Sequence, residues 1–311
     1  MSTDAVRSAV LLLAGPTAAG KTAAAIDLAL ELDGEIVSAD ARQVYRHLDI
    51  GTAKPTAEQL AAVPHHVIDI CEPEERYSAA RFLNDAGTAL ADIHARGKQA
   101  IVAGGTGLYF RALRDGLFPA PDIAPETRDE VDVMWAAGGR DALTRYLSRQ
   151  DPRTLDAIDQ RNPARLRRAV EFHLQTGRSL EESRQADPGR GLGYRFFAVV
   201  LAVPRPQLYE RITHRVDHLL AAGWLEETRS LAERYDFDWP AFNAVGYREL
   251  YAVVQHALTL SEAREQIIRR TRNYAKRQLT WFTRQGQWLW ISAGSGVTSK
   301  IALALANSCR S

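Results

Sequence analysis

The residues best equipped for chemistry lie in segment 10–22, where Val-Leu-Leu-Leu-Ala runs directly into Gly15-Pro16-Thr17-Ala18-Ala19-Gly20-Lys21-Thr22. A short apolar strand, the pattern G-x-x-x-x-G-K-T and a helix-forming run follow one another in the order that builds a phosphate-binding loop. Gly15 and Gly20 let the backbone curl so that successive N–H groups face phosphate oxygens. Lys21 adds a point charge, Thr22 offers a hydroxyl to Mg²⁺, and the helix presents its positive end. A diphosphate or triphosphate is therefore expected here. P-loops serve kinases, ATPases, GTPases and transferases that expel pyrophosphate, so the motif leaves the reaction open.

A second chemical group follows the next apolar run. Asp40 sits in Ser38-Ala39-Asp40-Ala41-Arg42-Gln43-Val44-Tyr45. Ligands of a parallel α/β sheet bind beyond the carboxyl ends of its strands, which puts Asp40 on the same rim as the P-loop. A carboxylate there can hold Mg²⁺ through water or accept a proton from a group attacking the bound phosphate ester. The alternative is a helix N-cap. Gly104-Gly105-Thr106-Gly107 is a third rim candidate, whose amides and Thr106 hydroxyl would face the crevice. Alone, that turn is a weak signal.

These loops need a sheet to hold them. Apolar runs recur at 10–14, 35–38, 67–70, 99–103, 196–203 and 288–291, with helical patterns such as 21–31 and 79–96 between most of them. This alternation predicts an α/β fold, a P-loop NTPase-like parallel sheet flanked by helices. It stops across 117–194, where Pro119, Pro121 and Pro125 precede charged helical stretches (126–136, 141–150, 163–175) and then Gly189, Gly191 and Gly193. The expected organisation is a core of 1–116 and 195–311 with an inserted helical domain at 117–194.

Composition narrows the setting. With 311 residues, 46% hydrophobic and 25% charged, the chain suits one large domain and a smaller one. Cys71 and Cys309 make neither a zinc site nor a disulfide framework. Residues 1–7 are polar and the apolar run after them is only strand length, so no signal peptide is expected. No stretch nears the ~18 apolar residues of a membrane span. A reducing, cytoplasmic monomer is the expectation. Net charge is +1, so any polyanion must be recognised by local charge.

Taken together, the blocks identify a family. The P-loop, Asp-x-Arg-Gln-Val-Tyr, Asp49-Ile50-Gly51-Thr52-Ala53-Lys54-Pro55, Pro64-His65-His66-Val67-Ile68-Asp69 and Gly-Gly-Thr-Gly-Leu108-Tyr109 occur in one order. They closely resemble the tRNA dimethylallyltransferases (tRNA isopentenyltransferases). The resemblance continues through Asn162-Pro163-Ala164-Arg165-Leu166-Arg167-Arg168-Ala169 and Arg211-Ile212-x-x-Arg215-Val216. It reaches Val245-Gly246-Tyr247-Arg248-Glu249 and Lys276-Arg277-Gln278-Leu279-Thr280-Trp281-Phe282, so it covers about residues 10–285. Two departures stand out: Ala19 and Ala41 occupy positions where the family commonly has Ser. Each removes a hydroxyl but neither removes Lys21 or Asp40, so tuned activity is expected. With no Cys/His finger after residue 285, the chain resembles the bacterial form.

The resemblance implies transfer of a dimethylallyl group from dimethylallyl diphosphate to N6 of adenosine 37 of tRNA, beside the anticodon. Gly15, Pro16, Thr17, Ala18, Ala19, Gly20, Lys21 and Thr22 would hold the diphosphate, with Mg²⁺ as cofactor on Thr22 and, through water, Asp40. Asp40 would be the general base, and Lys21, Thr22, Thr106 and Arg215 would complete the catalytic set; a solvated helical arginine is the alternative for Arg215. The same resemblance gives the tRNA anticodon stem-loop as partner. Its contacts would be Asp40, Ala41, Arg42, Gln43 and Thr106, then Arg128, Ala164, Arg165, Leu166, Arg167 and Arg168. Further contacts would be Asn243, Val245, Gly246, Tyr247 and Arg248, then Lys276, Arg277, Gln278, Trp281, Phe282 and Arg284.

The residues fit that reading. A stacked adenine must be extruded to reach a recessed P-loop, which costs least in a single-stranded loop. Arg264, Arg269, Arg270, Arg272, Lys276, Arg277 and Arg284 face one acid, Glu265, with Tyr274, Trp281 and Phe282 interleaved. That is the composition of an RNA-backbone groove with stacking partners, or of a basic helix whose aromatics belong to the core. Arg165, Arg167 and Arg168 form a second cluster. His65 and His66 read as packing and hydrogen-bonding residues. Two rivals remain at this point. One is a small-molecule or nucleoside kinase, distinguished by whether ATP or dimethylallyl diphosphate raises the melting temperature more. The other is a non-catalytic RNA-binding switch, which turnover with tRNA would dispose of.

Overall fold

The computed structural model describes residues 9–308; Cys309 lies outside them. Six strands form one all-parallel sheet in the order β3-β2-β4-β1-β5-β6. They are β1 Ala9–Ala14, β2 Gly34–Ala39, β3 His65–His66, β4 Gln99–Gly104, β5 Arg195–Ala202 and β6 Leu289–Ser292. The sequence Ala-Val-Leu-Leu-Leu-Ala of β1 is buried along its whole length, as expected of a central parallel strand covered on both faces. It pairs with β4 (Leu11 opposite Ile101) and β5 (Leu11 opposite Phe197).

Helices α1 (Lys21–Glu31), α2 (Ala57–Ala62), α3 (Ala79–Ala95) and α4 (Gly107–Asp115) accompany the first four strands. After β5 the chain forms α9 (Arg205–Ala221), α10 (Trp224–Arg234), a 3₁₀ turn at Pro240–Asn243, α11 (Tyr247–Val254) and α12 (Leu260–Arg284). Helix α13 (Val297–Ser308) follows β6. Leu11, Leu13, Leu28, Ile101, Val199 and Leu201 pack with Leu208, Ile212 and Ala275 in one core, which fixes α9 and α12 against the sheet.

The expected strand at 67–70 is absent from the sheet. Only His65 and His66 pair with β2. Val67 and Asp69 have φ of 62° and 55°, left-handed values that break an extended run. Segment 69–71 instead bonds to 43–44, with Asp69 N–H donating to Gln43 O (3.2 Å) and Ile70 N–H to Val44 O (2.9 Å).

The chain divides into two compact units. One comprises the described residues up to Arg114 and from Gly193 onward, the other Asp115–Leu192. The second contains α5 (Pro125–Gln150), α6 (Pro152–Ala157), α7 (Pro163–Thr176) and α8 (Leu180–Ala186) around Val131, Leu143, Leu147, Leu166, Val170 and Phe172. The two helices expected at 126–136 and 141–150 are the arms of α5, which leaves helical geometry at Gly138 and Gly139. Helix α7 is delimited by its own sequence. The Asn162 side chain accepts from Ala164 and Arg165 N–H, Pro163 opens the first turn, and Gly177 closes it in the left-handed region.

Candidate active site

Parallel strands deliver their carboxyl ends to one edge, so β1, β2 and β4 hand the chain to the P-loop, Asp40 and Gly105-Thr106 on a common rim. The P-loop turns with Ala18 at φ 63° and Gly20 at φ 91°. Lys21 Nζ donates to Pro16 O (2.8 Å) inside the loop. Thr106 ties the other two rim segments together: its N–H donates to Ala39 O (3.2 Å) and its hydroxyl accepts from Ala41 N–H (3.1 Å). Asp40 accepts from Arg42 N–H (2.8 Å), holding its carboxylate over the start of the next turn.

Two cavities meet at this rim. The smaller, about 200 Å³, is lined by P-loop residues Thr17, Ala18, Gly20, Lys21 and Thr22, with Ile36, Pro55, His65 and Ile68 opposite. The larger, about 520 Å³, is lined by Ala41, Arg42, Thr106, Asn243, Val245 and Arg277. Thr17, Asp40, Arg215 and Tyr274 line both.

Electrostatics concentrate at that junction. Burial pushes the Lys21 ammonium down to about 8, opposed by the Asp40 carboxylate and reinforced by Arg215. Burial likewise lowers Arg215, and Asp40 pulls it back up. Burial and then Asp40 raise the Tyr274 phenol, keeping it protonated. Two half-buried cations facing one carboxylate form a site short of negative charge, which suits a diphosphate.

A magnesium ion fits what is present. Thr22 is exposed on the smaller cavity and Asp40 lines the same cavity. Among the described residues no cluster of three or more His, Cys, Asp or Glu could hold a metal. An ion with few protein ligands that keeps water and substrate oxygens is the habit of Mg²⁺ rather than of zinc.

The two serine replacements have different surroundings. Ala19 is 1% exposed and packs in the core, whereas Ala41 lines the larger cavity. Gln43 lines the smaller cavity, its amide accepting from Ser38 Oγ (3.0 Å) and donating to Ala53 O (3.1 Å). Arg42 lines the larger cavity and donates to Pro240 O (2.9 Å). His66 bonds Glu35 (2.7 Å), as a packing residue should, while His65 both bonds Val63 O (2.8 Å) and lines the smaller cavity.

Several residues expected to touch RNA are turned inward instead. Tyr247 is fully buried, its hydroxyl donating to Glu227 (2.7 Å), and Gly246 lies under the Trp224 ring. Phe282 is buried against Phe110 and Trp288, and Leu166 is in the core of the second unit. Trp281 is half-buried, with its ring over Gly107. Gln278 is 6% exposed and its amide is taken by two rim loops. Tyr274 is in the cavity wall rather than on an outer groove. Each side chain follows helix phase and packing, which a motif does not disclose.

The cations also divide. On α12, Arg264 makes a bidentate pair with Asp217 (2.5 and 2.8 Å), Arg270 pairs with Glu249, and Arg272 donates to Thr213 (3.0 Å) and stacks on Tyr209. Arg269, Lys276, Arg277 and Arg284 are exposed and have no acidic partner among the described residues. Lys276 and Arg284 line an outer cleft with Arg205 and Tyr209. In the second unit, Arg167 pairs with Asp132 and covers Trp135, and Arg168 meets Glu171 at 3.8 Å. Ala164 and Arg165 are exposed, and Arg128 is half-buried on α5. Arg248 is exposed, 3.8 Å from Asp238.

Two positioning groups fall outside the expected site residues. Glu227 accepts from the backbone N–H of Asp49 (3.0 Å), Ile50 (2.7 Å) and Gly51 (3.1 Å). Lys54 bonds Tyr45 O (2.7 Å), Asp49 (2.6 Å) and Asp69. Together they shape the loop that supplies Gly51, Thr52, Ala53 and Pro55 to the cavities.

No helix among the described residues is long and apolar enough to cross a membrane. Comparison with known proteins then gives the lineage. A family model described as IPP transferase matches residues 43–285, and one described as isopentenyl transferase matches 8–75. The tRNA dimethylallyltransferase of Myxococcus xanthus is 45% identical over 281 residues, covering 90% of this chain and 91% of that protein. The protein of the same name from Thermomicrobium roseum is 46% identical over 289 residues, covering 91% and 86%. The full-length tRNA isopentenylpyrophosphate transferase of Bacillus halodurans superposes with a TM-score of 0.71 at 36% identity, covering 97% of each chain. A eukaryotic dimethylallyltransferase, solved acting on tRNA, gives 0.81 at 26% identity, covering 96% of this chain and 78% of that one. The chain therefore belongs to the IPP transferase family, that of the tRNA dimethylallyltransferases.

Proposed function

We propose that this protein transfers a dimethylallyl group from dimethylallyl diphosphate to N6 of the adenosine beside the anticodon of tRNA, position 37, releasing diphosphate. The supporting observation is that Asp40 and Arg215 line both cavities, one walled by the P-loop and the other by Arg42, Asn243 and Arg277. A diphosphate held by Lys21 and the loop amides puts its allylic carbon near that junction, and a base in the larger cavity brings its amine there.

In the reaction, the N6 lone pair forms the new N–C1 bond. The C1–O bond breaks with its electron pair going to diphosphate, and the N6 proton goes to Asp40. Lys21 and Arg215 stabilise charge that grows on the departing oxygens, inside a site where burial strengthens each interaction. Thr22 and, through water, Asp40 would hold Mg²⁺, which would supply further neutralisation of that leaving group. Thr106 keeps Ala41, and so Asp40, at a fixed distance from β4. Exposed Arg277 and Lys276 meet RNA phosphates.

Incubation with labelled dimethylallyl diphosphate and total tRNA, followed by nucleoside analysis, tests the proposal. Label in N6-modified adenosine with equimolar diphosphate is the expected result. Label retained in the allylic diphosphate, or appearing in another nucleoside, would overturn it.

A further inference from the structure

We infer that Gln278 is a positioning residue that couples diphosphate binding to RNA binding, an inference that rests on the reading above. Its side chain is 6% exposed. The amide oxygen accepts from Thr17 N–H (2.9 Å) in the P-loop, and the amide nitrogen donates to Gly105 O (2.9 Å) in the turn after β4. Gly105 has no space for a side chain because this amide lies against it. One residue of α12 therefore clamps two of the three rim loops.

Its neighbours face elsewhere. Arg277 lines the larger cavity and Lys276 the outer cleft, both exposed and without acidic partners among the described residues. An RNA phosphate gripped by either cation fixes α12 within two residues of the clamp. Both clamp bonds sit at the normal length (2.9 Å), so a shift of roughly half an ångström would stretch one of them beyond the ordinary range and weaken it. Thr17 lines both cavities, so the restraint arrives where the substrates meet. Any effect of RNA on the P-loop is matched by an equal effect of diphosphate on RNA affinity.

The test is binding of inorganic diphosphate with and without an anticodon stem-loop RNA carrying unmodified adenosine 37. In the wild type, RNA should tighten diphosphate binding by about 5–20-fold, within the usual range of coupling between sites. In Gln278→Met, close in size but unable to make either bond, diphosphate alone should bind more weakly and RNA should improve it less than about twofold. RNA affinity without diphosphate should be unchanged. Gln278→Glu keeps the acceptor for Thr17 and loses the donor to Gly105. It should show a coupling below half the wild-type value, and serves if the Met variant does not fold. A residue that only supports the fold would lower the melting temperature and leave the coupling ratio intact. That ratio surviving in either folded variant, or no RNA effect in the wild type, overturns the inference. Prenyl transfer to the same RNA by the wild type is scored separately and judges the reaction by itself.

Discussion

The charges around the P-loop cavity (Lys21, Asp40 and Arg215) and the charges on α12 live under opposite conditions. Lys21 and Arg215 are half-buried, and each is shifted by desolvation and by Asp40. Arg277 and Lys276 are exposed and unpaired among the described residues. Other α12 cations, Arg264 and Arg270, are bound to carboxylates of neighbouring elements. Desolvated charge acts strongly and responds to pH, whereas solvated charge acts weakly and responds to salt. Chemistry should therefore be controlled from the rim and RNA affinity from the helix.

The largest effect should come from Asp40→Asn, which keeps shape and the bond from Arg42 while removing proton acceptance. Turnover should fall by roughly 10²–10⁴, with tRNA affinity nearly unchanged in a direct binding measurement. Comparable loss of both would erase the proposed division between rim and helix.

Next comes Lys21. Because its folded value is depressed to about 8, raising pH through that point neutralises the free protein's ammonium. A bound diphosphate restores the proton, so calorimetric affinity for diphosphate should fall by up to about tenfold per pH unit above pH 8. Lys21→Met should cost about 10–100-fold at neutral pH, the worth of a charge-assisted bond, and should flatten that pH dependence. The sign for stability is opposite. The unfolded chain holds this proton to higher pH, so burying Lys21 costs stability below about 8, and that cost fades as pH rises toward the free-lysine value.

The smallest effects should separate the cations within α12. Arg277→Ala should lower the log–log salt slope of RNA binding by about 0.7–0.9. Arg264→Ala, which loses its pair to Asp217, should leave that slope unchanged and cost at most about 1 kcal/mol of stability. Equal salt slopes in the two variants would mean that pairing in the structure does not decide which cations meet RNA.

Sequence pattern captured the rim well, since a P-loop, Asp40 and Thr106 follow apolar runs bounded by turn residues, the pattern of buried strands. It failed where a motif hides which face a residue turns. Gln278 belongs to a family block beside two exposed cations, and the block alone does not disclose that it turns inward. Helix phase was the available signal: Ala275, Gln278 and Phe282 continue the buried stripe of Ala263 and Ile267 at three- and four-residue steps. Residues 67–70 are apolar enough for a strand, but left-handed Val67 and Asp69 break the run, and no composition rule forecasts a β-branched residue at positive φ. The pairing of Arg167 with Asp132 joins different helices and is likewise beyond local pattern. Glu227 lies in the first turn of α10, where an acid already has a routine explanation.

That glutamate has a consequence for selectivity. Three consecutive amides converging on one carboxylate make the same kind of concave anion trap that a phosphate would enter. By supplying its own anion, the fold pre-empts a decoy beside the larger cavity. With Glu227 in that concavity, the amides of residues 49–51 have no donor left for a second anion at this edge of the larger cavity.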